Sequence, residues 1–477
     1  MHSNIDYESY RAELTQISDA LGRGLMESKA ISYAIEALPE DASVAARSKA
    51  AKFAVFAFRA ELLRHILNLP SFRAYSRMLA SSDLLADFCG ILTIEGIKWS
   101  SKSTLDRASK FFSAEQLAHL NEHLNQLVSK DESARQVGLD EVVDFSVCLV
   151  DSTCFEANIH FPVDWLLLKD VGHNLLKALI LIRAEGLLCR MDQSPEQWGT
   201  QMNRLCIQMT HARRYKNAKK QRKAVLRKMK RMLKRLEGHA RRHRDKLATC
   251  DLDKVKWSQR EVSNLLARID EKLGLLPKAI EQAHERIIGE RRIDSKDKVL
   301  SAHEADLHVI VRGKAGKEVE FGNTLFIAET QGGFICDYQL YQQRAPGDAK
   351  ELVASLDRIE SYGLGQPIKE VVGDRGFDSQ AVNKALESKA INNSICPKDP
   401  QLLEQKLSQP QFRKSQKRRG GTEARIAILT NNGGRVCRAK GFEHRSEQIG
   451  WSVLAHNMHW IARKVRNQRA NDQKKAA

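Results

Sequence analysis

The sequence predicts a mixed α/β sheet with flanking helices, interrupted by a large all-helical insertion and preceded by a helix-rich N-terminal region. Three observations carry this. Short runs of Val, Ile and Leu lead into Asp151 and into Asp374, and such runs read as buried strands. Between them, residues from about 165 to 295 show helical rather than strand periodicity. Before them lie some 140 residues with apolar positions at steps of three and four. At 477 residues the chain is long enough for two or three domains, each with its own core.

In chain order, the N-terminal region (1–140) carries apolar periodicity through Phe53, Phe56, Ala57, Ala60, Leu63 and Ile66. Leu84 to Ile91 reads as a helix, Ile94 to Ile97 as a turn, and Ser101 to Phe112 as a second helix. Two readings fit this segment. It resembles a helix-turn-helix reader of DNA, with Lys102 and Arg107 beside the duplex. It equally fits a capped helix pair, since Ser and Thr favour N-caps for backbone reasons alone.

A first strand follows in 141–164, and a helical insertion occupies 165–298. Strand character returns from Leu307, from Thr324 and from Gly333, the last two joined by a hairpin-type connection at Thr330-Gln-Gly-Gly. A helix from Asp348 to Ile359, the strand ending at Asp374, a helix from Ser379 to Lys389 and a strand from Ile391 complete a mixed sheet within 299–465. Residues 466–477 are expected to be disordered.

The net charge is +18, from 77 Lys and Arg against 59 Asp and Glu. That excess favours a polyanionic partner. Between Arg213 and Lys246 there are seventeen Lys and Arg against two acids, Glu237 and Asp245. Val225, Leu226, Met229, Met232, Leu233 and Leu236 recur at helical spacing there. A solvated structural helix would intersperse acids at i to i+4, so phosphate neutralisation is the better reading. It assigns Arg213, Arg214, Lys219, Lys220, Arg222, Lys223, Arg227, Lys228, Lys230 and Arg231 to DNA. A second helical stretch through Val262, Leu265, Ile269 and Leu273, with a break at Gly274 and Pro277, completes an antiparallel hairpin.

No apolar stretch amounts to a spanning helix, since Leu175 to Leu188 contains Lys177, Arg183 and Glu185. The N-terminus lacks a secretory pattern, and nine scattered cysteines without a Cys-x-x-Cys pair suit a reducing cytoplasm.

Singly, the acids are ordinary. Asp151 before Ser-Thr fits a turn or cap, Gly373-Asp374-Arg375-Gly376 fits a turn, and Glu423 opens a helix where the macrodipole favours an acid. Together, on a basic chain, two strand-borne aspartates and a helical glutamate point to a divalent-metal site acting on a phosphodiester.

Three stretches are similar to the motifs of the DDE transposases of bacterial insertion sequences. They are Val150-Asp-Ser-Thr-Cys-Phe-Glu-Ala-Asn-Ile-His-Phe-Pro, Val372-Gly-Asp-Arg-Gly-Phe-Asp, and Gly421-Thr-Glu-Ala-Arg-Ile-Ala-Ile-Leu-Thr-Asn-Asn continuing to Gly450-Trp-Ser-Val-Leu-Ala-His-Asn. The likeness spans roughly residues 45 to 465. It implies an RNase H-like catalytic domain with a helical insertion, and Asp151, Asp374 and Glu423 as catalytic metal ligands. Arg419 fits the arginine seen near the third acid in related families, whereas Gln416 and Thr430 stand where a tyrosine and a lysine would be.

The implied chemistry is in-line attack on DNA with two Mg²⁺ or Mn²⁺ ions. Water as nucleophile cleaves at the element's end, and the freed 3′ hydroxyl then joins to target DNA. Arg413, Lys414, Lys417, Arg418 and Arg419 would cradle phosphates. Glu156, Asn158 and His160 sit just past the first aspartate, His160 fitting a packed or capping role equally well. The expected partners are the terminal inverted repeats, target DNA and a second copy of the chain, in a bacterial cytoplasm at the nucleoid. Two alternatives stay open: a DNA-binding protein that has lost catalysis, and an RNase H-like nuclease that cuts without joining.

Overall fold

The computed structural model describes residues 2–314, 317–431 and 439–476. The side chains of Arg213 and Thr430, both singled out above, lie outside the described set. The chain divides into two compact units, Met1–Asn158 with Gly322–Ala477, and Ile159–Phe321.

The first unit opens with α1 (His2–Arg23), α2 (Met26–Glu36), α3 (Val44–Ile66), α4 (Phe72–Ala80) and α5 (Asp83–Phe88). A two-residue ribbon, β1 (Leu92–Thr93) with β2 (Gly96–Ile97), precedes α6 (Lys102–Ala108), α7 (Ala114–Ser129) and α8 (Asp131–Gln136). Local chemistry sets these boundaries. The Ser43 hydroxyl accepts the Ala46 N–H at the start of α3, and a capping box of Ser113 and Gln116 starts α7.

The helix-turn-helix reading of 84–112 does not hold. The β-ribbon separates α5 from α6, where that motif requires a turn of three or four residues. Ser101, at the position expected to open a reading helix, is an N-cap that accepts the Thr104 N–H. Lys102 and Arg107 are exposed on the short helix α6.

The sheet is built from β3 (Val147–Glu156), β4 (His308–Lys314), β5 (Lys317–Thr330), β6 (Ile335–Leu340), β7 (Glu370–Val372) and β8 (Asn392–Asn393), in the order β4-β5-β3-β7-β8 with β6 also paired to β5. β3 and β6 run antiparallel to β5, whereas β7 runs parallel to β3 and to β8. Helices α13 (Asp348–Ser361), α14 (Gln380–Ser388), α15 (Pro400–Leu407), α16 (Pro410–Asn431) and α17 (Phe442–Ala476) complete the unit.

One hydrophobic cluster joins residues of α1 to α7, of β3, β6 and β7, and of α17. Its hinge is Trp451 on α17, 1% exposed, with ring centroids 5.6 Å from Phe58 and 5.9 Å from Phe112. Asn457, one and a half turns on, donates to Asn121 Oδ1 at 3.0 Å and to the Ile335 carbonyl at 2.9 Å. The N-terminal helices and the sheet therefore share a core. The tail expected to be disordered is instead helical, since α17 continues to Ala476. Among the described residues its buried positions end at Val465.

In the second unit, α9 (Asp164–Ala184), α10 (Pro195–His211), α11 (Ala218–Ala248) and α12 (Gln259–Ala283) enclose their own core, with Leu168, Leu179, Trp198, Leu226, Leu233, Leu236 and Leu276 buried in it. The unit reaches Phe321, so it also takes in β4 and the start of β5 beside the helices expected at 165–298. α11 and α12 are antiparallel: Arg244 near the end of α11 meets Asp270 inside α12, while Lys230 nearer its start meets His284 just past α12.

The break expected at Gly274 and Pro277 is absent, because α12 runs through both to Ala283. Leu273, Leu276, Ala279 and Ala283 are all buried in the unit's core. That packing offsets the backbone hydrogen bond a helical proline forfeits.

Candidate active site

β3 and β7 position the two aspartates. The strands are parallel with Cys148 opposite Val371 and Leu149 opposite Val372. Asp151 and Asp374 each lie two residues beyond that last pair, Asp151 within β3 and Asp374 just past the end of β7. Asp151 does not end its strand as expected. β3 continues to Glu156 because Thr153, Cys154 and Phe155 pair on with Leu325, Thr324 and Asn323 of β5. It is β7 that stops, leaving Asp374 half-buried at its mouth.

Backbone amides fix both carboxylates: Ser152 N–H donates to Asp151 Oδ1 at 2.8 Å, and Gly376 N–H to Asp374 Oδ1 at 2.7 Å. A Cβ on Gly376 would lie 2.7 Å from Asp348 Oδ2 and 2.9 Å from Asp374 Oδ1. Asp348, the first residue of α13, therefore faces the same small space as Asp374. Sequence reasoning missed it, because an acid opening a helix has an ordinary explanation.

Alternation along β3 puts Leu149, Asp151, Thr153 and Phe155 on one face. α16 covers that face: Phe155, Leu325, Ile327, Ile335 and Leu340 pack with its Leu429 and with Ile449 and Val453 of α17. Four hydrogen bonds set the path of α16. Ser415 Oγ donates to Glu370 Oε1 at 2.7 Å, and Gln416 Nε2 to the Ser394 carbonyl at 2.7 Å. Thr422 Oγ1 donates to Glu329 Oε1 at 2.7 Å, and Arg425 Nε to Glu329 Oε2 at 2.8 Å. The helix thus crosses from β7 over β3 to β5.

Ser415 and Thr422, seven residues apart, share the sheet-facing line of α16, and Gln416 and Glu423 share the flank beside it. Gln416 also reaches the carbonyl of Gly373, the residue before Asp374, at 3.2 Å. Glu423 therefore shares the flank from which Gln416 reaches Gly373, and it is exposed. Among the described residues no three His, Cys, Asp or Glu side chains are grouped to hold a metal ion as a set. The three acids are thus not closed into one cage. The donors themselves suit Mg²⁺ or Mn²⁺, being carboxylate oxygens.

Arg419, one turn before Glu423, has its Nε buried without a hydrogen-bond partner among the described residues. Buried guanidinium nitrogens are normally satisfied, so this one is suited to an anion. Arg413, Lys414, Lys417 and Arg418 are exposed on the same helix.

Residues 312–458 match the transposase DDE domain family. The chain carries a transposase DDE domain. The match includes Asp374 and Glu423 but begins after Asp151, which lies upstream of the inserted unit. No curated protein and no solved structure matches the chain. The family acts on DNA and generally uses divalent metal ions, and the mixed sheet with its flanking helices is consistent with an RNase H-like transposase fold. Among the described residues no helix is long and apolar enough to cross a membrane.

His160 pairs with Asp170 at 3.0 Å; partial desolvation lowers its pKa, but Asp170 and the Phe161 carbonyl outweigh it and raise the pKa. The cations of α11 divide in two. Lys219 and Lys223 face Glu290, Arg235 faces Asp192, Arg241 faces Glu237 and Arg244 faces Asp270. Arg222 lies over the Trp165 ring at 5.8 Å, and Lys230 meets His284 at 2.9 Å. Lys220, Arg227, Lys228, Arg231 and Lys234 are exposed and make none of the described ion pairs. Arg214 is exposed in the turn before α11.

Proposed function

We propose that this protein is an insertion-sequence transposase that cleaves DNA at the element's ends and joins the 3′ ends to target DNA by two-metal phosphodiester chemistry. The observation that supports it most is that Asp151 and Asp374 each follow the last pair of the parallel strands β3 and β7 by two residues, on the sheet face that α16, the helix of Glu423, covers. Asp151, Asp374 and Glu423 would hold the ions, Mg²⁺ or Mn²⁺. When bound, such ions lower the pKa of the attacking oxygen and stabilise the departing one.

The chain's own residues do the rest. The Ser152 and Gly376 amides orient the aspartates. The orphaned Arg419 Nε takes a phosphate oxygen of the bound strand end, and Arg413, Lys414 and Arg418 follow the flanking backbone. Lys220, Arg227, Arg231 and Lys234 track a duplex along α11. A homodimer on DNA would supply one such site to each end, in a bacterial cytoplasm at the nucleoid.

The test is a joining assay. Duplexes ending in the inverted repeats that flank the coding region are mixed with the protein, Mg²⁺ and a supercoiled plasmid. Covalent joining of the 3′ ends to the plasmid is expected. Cleavage without joining favours the nuclease alternative, and binding without either reaction favours the non-catalytic one.

A further inference from the structure

We infer that Glu329 is a positioning residue for catalysis, which holds α16 so that Glu423 faces the two aspartates. The inference rests on the three-acid reading above. Glu329 is a carboxylate with a 3% exposed side chain on β5, directly opposite Leu149 and one alternation from the pair of Asp151 with Ile327. Burying a carboxylate is costly unless it is paired and hydrogen-bonded. Both partners of Glu329 come from α16, and they bracket the third acid: Thr422 precedes Glu423 and Arg425 follows it by two.

A second observation fixes the same grip independently. The guanidinium of Arg425 fills a notch at the β5–β6 turn. Gly333 there has φ +83°, and a Cβ on it would lie 2.0 Å from Arg425 Nη2. The positive φ favours glycine there, and the missing Cβ leaves the arginine its present place. The far side of α16 is tied in the same manner, with buried Glu370 accepting from Ser415 and from Ser394.

The helix is therefore fastened to the sheet on both sides of β3 by buried carboxylates. Its rotation about its own axis, which decides where Glu423 points, is set by Thr422 and Arg425 on Glu329. Partners of this kind hold a ligand's orientation rather than contact the ion.

The experiment compares Glu329→Gln, Thr422→Val and Glu423→Gln with the wild type. Cleavage of flanking-repeat duplex is followed against Mg²⁺ concentration, DNA affinity is measured separately, and Mn²⁺ binding to the DNA-free protein is titrated by EPR. Glu329→Gln is expected to lower cleavage and weaken Mn²⁺ binding by about 10–100-fold. Its Mg²⁺ requirement should rise while DNA affinity and fold stay as in the wild type. A merely structural role would not move the metal dependence.

Thr422→Val, an isosteric loss of one hydroxyl, should shift the same quantities in the same direction by less. If Glu329→Gln fails to fold, Thr422→Val carries the test alone. Wild-type metal dependence in the folded variants, with Glu423→Gln inactive, overturns the inference. Full activity of Glu423→Gln overturns the three-acid reading, and this inference with it.

Discussion

Four cations of α11, Lys220, Arg227, Arg231 and Lys234, give the most quantitative handle on DNA binding. At 100° per residue they fall within about 60° of one another and span about 21 Å of helix. Each is exposed, and none makes a described ion pair, whereas Lys219, Lys223, Arg235 and Arg244 face acids. If all four reach phosphates, counterion release gives them about −3.6 of the slope of log affinity against log salt. That corresponds to roughly a 150-fold loss of affinity between about 50 and 200 mM salt.

Replacing the four with Gln keeps the helix and spares the buried stripe of Leu226, Met229, Leu233 and Leu236. Fluorescence anisotropy with labelled duplex, repeated across salt concentrations, should show a slope flatter by about 3 to 4. Affinity should fall equally for repeat-bearing and random DNA, since phosphates carry no sequence information. The matched set Lys219, Lys223, Arg235 and Arg244 to Gln should flatten it less. An unchanged slope in the first variant, with helicity intact by circular dichroism, refutes a phosphate-tracking role for α11.

Burial pushes the imidazole of His456 down to about 4, with Nε2 2.9 Å from the Gly333 carbonyl oxygen. A folded pKa below the unfolded value of about 6.5 means that protonation favours unfolding. Its stability contribution is full above pH about 6.5 and is lost as pH falls toward 4, amounting to about 3 kcal/mol. Urea unfolding of His456→Gln at neutral and acid pH should show a shallower acid loss by that amount, and parallel profiles would refute it. Gly322→Ala should destabilise by about 1–3 kcal/mol, because its Cβ would lie 2.1 Å from the Phe155 backbone oxygen. Gly274→Ala, with nothing within 4 Å of its Cβ inside α12, should instead stabilise, by about 0.5–1 kcal/mol. Equal denaturation midpoints for those two variants would contradict the packing described.

What the sequence made legible was local. The Val-, Ile- and Leu-rich runs before Asp151 and Asp374 are strands because they are apolar on both sides, and the helix over 348–359 follows from its 3.6-residue period. Where β3 ends was not legible. Ser152 to Glu156 stay extended because β5, from more than 160 residues later, offers backbone partners. The grip on α16 was hidden for the same reason: Glu329 meets Thr422 across 93 residues and Glu370 meets Ser415 across 45. Pro277 misled because a proline rule knows nothing of the core packed around Leu273 and Leu276. The charge run at 213–246 was plain, but its division into paired and unpaired cations depends on acids at Asp192, Asp270 and Glu290 that only the fold brings near.

The most direct test of the account is cleavage of duplex carrying the flanking inverted repeats, with Mg²⁺ supplied or chelated, by the wild type and by Asp151→Asn and Asp374→Asn. Cleavage should require the metal and be abolished in both variants, while each binds the same duplex as tightly as the wild type. Undiminished cleavage by either variant, or wild-type cleavage in the presence of chelator, would contradict a metal site built on these two aspartates.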